Sequence, residues 1–114
     1  MSDSMINWPA VIKHDNEDEL IYIESLQQWQ QDEEMLLYIF TPRDVLIDVS
    51  GNIYSLPDLQ QSIDSAKCLG QASTDNIMEL VRAHAALSNQ CCIEKLGAND
   101  ISQALAIVRQ LSED

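Results

Sequence analysis

Ala10-Val11-Ile12-Lys13-His14-Asp15-Asn16-Glu17-Asp18-Glu19-Leu20-Ile21-Tyr22-Ile23 decides how the chain begins to fold. Ala10 to Lys13 is short, apolar and partly β-branched, which suits a strand. Leu20 to Ile23 has the same character. Between them Asp15-Asn16-Glu17-Asp18 is a turn, because Asx side chains bond their own backbone and tolerate tight geometry. The stretch therefore predicts an antiparallel hairpin. Pro9, just upstream, pushes Trp8 toward extended backbone, and residues 1–8 read as a tail preceding a single domain over residues 9–114.

Downstream, Ser25 is placed to cap a short helix over residues 26–34. Leu36-Leu37-Tyr38-Ile39-Phe40 is the most apolar strand candidate. Thr41-Pro42-Arg43-Asp44 turns the chain into a strand over 45–49. Ser50-Gly51-Asn52 is a tight turn whose glycine can take positive φ, and Ile53-Tyr54-Ser55 returns. Residues 36–55 thus read as a three-stranded meander.

The second half changes period. Pro57 suits a first helical position. A helix over 57–68 would bury Leu59, Ile63 and Ala66 and stop at Gly70. Thr74 caps the next helix, with Ile77, Leu80, Val81, His84 and Leu87 on one face; Asn89 can end it. Residues 90–96 fit either a short strand or a continuing helix, the strand being preferred. In the last helix, capped by Asn99 or Asp100, Ile101, Ala104, Leu105, Val108 and Leu111 form the apolar stripe. Strands early and helices late predict an α+β fold: a mostly antiparallel sheet from the N-terminal half, with the C-terminal helices packed on one face.

The composition restricts function. Of 114 residues, 46% are hydrophobic and 22% charged, the balance of a globular domain, yet the formal net charge is −13. Lys13, Arg43, Lys67, Arg82, Lys95 and Arg109 are scattered, so no basic patch exists for nucleic acid, and anionic membranes would repel the surface. Cys68, Cys91 and Cys92 form no C-x-x-C pair, and reduced, mostly buried thiols are expected. The N-terminus lacks the charged and apolar regions of a signal peptide, so a cytoplasmic protein is expected.

Little in the sequence carries chemistry. The acidic turn Asp15 to Glu19 could offer oxygen ligands to a hard cation, but it lacks the EF-hand frame, and a solvated turn is the preferred reading; no metal site is assigned. His84 on an apolar helix face reads as a core histidine that hydrogen-bonds within the fold, and a pairing with Cys91 or Cys92 would put the two about two helical turns, roughly 10 Å, apart. Asp48-Val49-Ser50-Gly51 partly matches the Asp-Thr/Ser-Gly loop of aspartic peptidases. A hydrolase reading would use Asp48 with a second carboxylate, Asp44 or one from a second subunit; a hairpin turn explains Ser50 and Gly51 fully and is the preferred reading. With three glycines in all, phosphate-cradling loops are missing and no cofactor is expected. Trp8, Tyr22, Tyr38 and Tyr54 are candidate partner-binding rings.

Asn7-Trp8-Pro9-Ala10-Val11-Ile12-Lys13, then Asp15 and Glu19-Leu20-Ile21-Tyr22, resembles a small family of uncharacterised gammaproteobacterial proteins, a catalogued domain of unknown function. The resemblance extends through Cys92-Ile93-Glu94-Lys95-Leu96 to the terminal helix. It implies a small bacterial cytoplasmic protein and assigns no activity. The leading functional expectation is a non-enzymatic module that binds another protein, or a second copy of itself, through a sheet edge or a tyrosine-bearing face; a small-molecule ligand stays open, and a peptidase-like hydrolase is the rival.

Overall fold

The computed structural model describes residues 6–61, 68–87 and 97–113. Five strands, β1 (Ala10–Lys13), β2 (Leu20–Ile23), β3 (Val45–Asp48), β4 (Asn52–Ser55) and β5 (Cys68–Gln71), form one sheet in the order β2-β1-β3-β4-β5. Every neighbouring pair is antiparallel. The hairpin read from residues 10–23 is present, with Ala10 opposite Ile23 and Lys13 opposite Leu20. Asn16 at the turn has φ 64°, the left-handed geometry that asparagine tolerates.

Alternation along the strands sends successive side chains to opposite faces. Ala10, Ile12, Ile23, Leu46 and Tyr54 belong to one core. It is completed by Ile6, by Trp29 from α1 (Leu26–Gln31), by Phe40, and by Leu56 and Leu59 from α3 (Leu56–Gln61). Val11, Leu20 and Ile47 belong to the other. There they meet Ile77, Met78 and Val81 of α4 (Thr74–Leu87) and Ala104, Leu105 and Val108 of α5 (Ile101–Glu113). The fold is α+β, and the C-terminal helices α4 and α5 share one face of the sheet as the periodicity required. The other face is covered as well, by the segments that connect the strands.

The local signals are satisfied by specific bonds. Ser25 Oγ accepts from the Gln28 amide at 3.2 Å, capping α1. The α4 cap is Ser73, one residue before Thr74: its Oγ accepts from the Asn76 amide at 3.1 Å and its own amide donates to Asn76 Oδ1 at 3.2 Å. Asp100 caps α5, accepting from the Gln103 amide at 2.9 Å. Gly51 has φ 86°, and a Cβ there would lie 2.5 Å from the Ala72 carbonyl oxygen, so both the turn and the close approach require glycine.

Several expectations are corrected. The apolar run 36–40 is no strand: α2 (Glu33–Leu37) takes its first part, and Tyr38 to Phe40 follow without regular structure. The reason lies in the sheet. β3 already has β1 and β4 as neighbours, so the run cannot pair with the strand that follows it, and 36–55 contributes two strands rather than three. The helix expected to run to residue 68 is α3, and Cys68-Leu69-Gly70-Gln71 is the edge strand β5, so Gly70 ends no helix. Cys68 is an exposed free thiol rather than a buried one. In α4 the buried face is Ile77, Met78, Val81, His84 and Ala85, whereas Leu87 is exposed. Ile6 is buried, the Asn7 carbonyl accepts from the Val49 amide and Trp8 packs on the core, so the last residues of the expected tail are held on the sheet. Residues 90–96, Cys91 and Cys92, and the stop at Asn89 lie outside the described residues.

Leu46 is fully buried in the middle of the sheet. Leu46→Ala is expected to lower the unfolding free energy by about 2–5 kcal/mol, read from urea titration.

Candidate functional site

Asp44 and Asp48 bracket β3. Both are buried, with 4% and 0% of their surface exposed. A carboxylate so placed must be met by donors, and each is. Asp48 Oδ1 accepts from the Ser50 and Asn52 amides, both at 2.9 Å, while Oδ2 accepts from the Asn7 amide at 3.0 Å and from Asn52 Nδ2 at 3.4 Å. The Asp48-to-Asn52 turn and the N-terminal segment are thereby locked together. Asp44 Oδ1 accepts from the Asp15 amide at 2.7 Å, and Oδ2 from the Thr41 amide at 2.8 Å.

His14 Nδ1 lies 3.6 Å from Asp44 Oδ2, longer than a hydrogen bond. Burial by itself would raise the Asp44 carboxyl. The Asp15 and Thr41 amides and the nearby His14 outweigh it and hold the group below the ordinary carboxylate value.

The two carboxylates do not make a catalytic pair within one chain. Asp44 precedes the strand and Asp48 ends it, so strand rise separates them by roughly 13 Å. A shared proton requires adjacent oxygens, and every acceptor oxygen is already engaged by amides. No pocket opens among the described residues. Nor do three or more His, Cys, Asp or Glu residues among them converge as a metal site.

The four aromatic candidates separate by environment. Tyr54 is 1% exposed inside the first core, and burial, then the Asp48 and Cys68 charges, raises its phenol; it is a core residue and presents no surface to a partner. Tyr22 is half-buried against the α4–α5 side of the sheet. Trp8 is half-buried against the opposite core, and its buried indole N–H meets no acceptor among the described residues.

Tyr38 alone is exposed, at 45%, between Leu37 at 83% and Ile39 at 89%. This corner is fixed from several sides. The Tyr38 ring lies 5.0 Å from His14 and 4.9 Å from Phe40, ring centre to ring centre. The Tyr38 carbonyl accepts from Gln60 Nε2 at 2.6 Å. Phe40 is buried and stacks on His14 and Trp29. Leu37 and Ile39 carried no site signal in the sequence, because an apolar pentapeptide reads equally as buried strand.

His84 fills the structural role its apolar face suggested. Its Nδ1 accepts from the Leu20 amide at 3.0 Å, tying α4 to the outer strand β2. Burial lowers its pKa, and the Glu19 charge opposes that only in part.

A family model described as a protein structure with unknown function matches residues 8–108. The chain belongs to this family, DUF4144. The match spans the whole sheet and α5 as far as Val108, and it agrees with the resemblance carried by residues 7–22. The chain is also similar to the NMR structure of the protein from Shewanella amazonensis, a gammaproteobacterial relative, with a TM-score of 0.72 and 20% identity over 97% of this chain and 94% of that one. At that identity the likeness shows the DUF4144 fold alone. No curated protein matches the sequence. No helix among the described residues is long and apolar enough to cross a membrane.

Two titrations follow. With Asp44 depressed, its contribution to stability is present above about pH 3.9 and is lost as pH falls through the lower folded value. With His84 depressed, the unfolded chain takes up the proton first, so stability declines as pH falls below about 6.5. An imidazolium has a proton on both nitrogens and cannot accept from Leu20. His84→Leu is expected to cost about 1–3 kcal/mol at neutral pH, by leaving the Leu20 amide unpaired, and to flatten the stability profile between about pH 5 and 7. Urea midpoints across that range check both effects; a variant that keeps the wild-type slope would contradict the assignment.

Proposed function

We propose that the protein is a non-enzymatic interaction module of the bacterial cytoplasm, binding another protein through the corner formed by Leu37, Tyr38 and Ile39. The observation that carries this reading is the contiguous exposure of three large apolar side chains on a segment clamped by His14, Phe40 and Gln60. Exposed apolar groups that cluster are the usual mark of a contact surface. An aromatic ring ordered before binding loses little entropy on contact. Covering Leu37 and Ile39 would each contribute about 1.5–3 kcal/mol, a scale sufficient for a specific, reversible complex.

A second copy of the chain is the other partner with support. β5 is a sheet edge whose four residues are all exposed and uncharged, lacking the charges that usually protect such edges. If this edge pairs two chains, light scattering shows a dimer that Leu69→Lys converts to monomer.

The main test is capture from native lysate by the tagged protein, comparing wild type with Leu37→Ser/Ile39→Ser at low salt and at about 0.5 M salt, where screening removes purely ionic contacts. A partner retained by wild type at both salts and lost by the variant is the expected result. Identical capture by both proteins overturns the assignment to this corner.

A further inference from the structure

The surroundings of the 37–39 corner restrict what can occupy it, and this inference rests on the proposed binding role of that corner. Two acidic segments border it. Glu33 and Glu34, both exposed, lie four and three residues before Leu37 on α2, one helical turn away. On the other side the Tyr38 ring packs on His14, and Asp44, three residues after Thr41, accepts from the Asp15 amide. His14 also opens the acidic turn: its carbonyl accepts from the Glu17 amide at 3.2 Å, so Asp15 and the exposed Glu17 lie on the His14 side of the corner. The cation nearest in sequence is Arg43, alone among residues 24–44. Lys13 is the one cation of the acidic turn, its Nζ donating to the His14 carbonyl at 2.9 Å, against the acids Asp15, Glu17, Asp18 and Glu19 that follow it.

An apolar centre with an anionic rim selects its complement. We infer that the corner binds a cationic amphipathic segment of a partner protein, with aliphatic side chains seated on Leu37, Tyr38 and Ile39 and lysines or arginines facing the two acidic borders. Charge complementarity of this kind steers encounter and rejects wrong partners. It disfavours a second copy of this chain at the same place, because two such corners would set anionic rims against each other and each chain carries a net charge of −13. Anionic lipid and nucleic acid are repelled for the same reason.

The test uses the full chain and defined peptides. One peptide has leucines at helical spacing with lysines on both flanks; in the second, the lysines are replaced by glutamates. Each is titrated by fluorescence anisotropy into four proteins. These are wild type, Leu37→Ser/Ile39→Ser, Glu33→Gln/Glu34→Gln, and a control, Asp75→Asn/Glu79→Gln. The control removes the same charge from exposed positions on α4.

The lysine peptide is expected to bind wild type and the control alike. It should bind the apolar variant about tenfold more weakly and the α2 variant about threefold more weakly. Absence of saturable binding, or equal weakening by the control, overturns the inference, since attraction would then be to overall charge. Binding of the glutamate peptide as tight as the lysine peptide, still lost in Leu37→Ser/Ile39→Ser, leaves the corner as a contact surface and overturns its cationic preference. Circular dichroism on each variant verifies that the fold is intact.

Discussion

β1 is hydrogen-bonded on both sides, antiparallel to β2 and antiparallel to β3, and most of the architecture follows from that. β2 and β3 must then run parallel to each other with β1 between them. A parallel pair cannot be joined by a tight turn. The chain from residue 24 to 44 has to cross over β1 on one face, while α4 and α5 close the other. Burying both faces uses strict alternation: Ala10 and Ile12 supply one core, Val11 the other. A one-residue slip of β1 would exchange the two sets.

The crossover also explains the exposed corner. A connection of this length turns back toward the sheet at its end, and Trp29 and Phe40 are the rings that anchor it inward. The residues between those anchors cannot all face the core. Leu37 and Ile39 face outward, and Asp44 secures the end of the crossover by receiving the Thr41 amide of its own turn and the Asp15 amide of the hairpin. The buried carboxylates are thus structural brackets at the two ends of β3. Asp44 keeps its charge because the Asp15 and Thr41 amides and the nearby His14 outweigh the cost of burial, and Asp48 accepts from the Asn7, Ser50 and Asn52 amides.

The N-terminal hairpin, the Ser25 cap, the Gly51 turn and the α5 stripe were legible because each depends on contacts close in sequence. The α+β class followed from their order. What stayed hidden depends on partners distant in sequence. The run 36–40 has the composition of a central strand, and only the occupied neighbours of β3 exclude it. Gly70 resembles a helix stop until β4 recruits Cys68 to Gln71 as an edge. Tyr54, Tyr38 and Tyr22 look alike in sequence, yet one lies in the core, one is exposed and one is half-buried. Asp44 and Asp48 drew notice as acids near a turn, but their amide partners include Asp15 and Asn7, far away along the chain. Of the candidate site, Tyr38 was visible and its apolar neighbours were not.

The central claim is that a buried carboxylate holds the end of the crossover in one place, so that the apolar corner is presented ready-formed. Amide hydrogen exchange at Thr41, Asp44 and Asp15, resolved by NMR at neutral pH, tests it most directly. The account predicts protection approaching that of the β1 and β3 amides, because the Thr41 and Asp15 amides donate to Asp44 and the Asp44 amide donates to the Thr41 carbonyl. Exchange at the rate of an open loop, with the strands still protected, would contradict it.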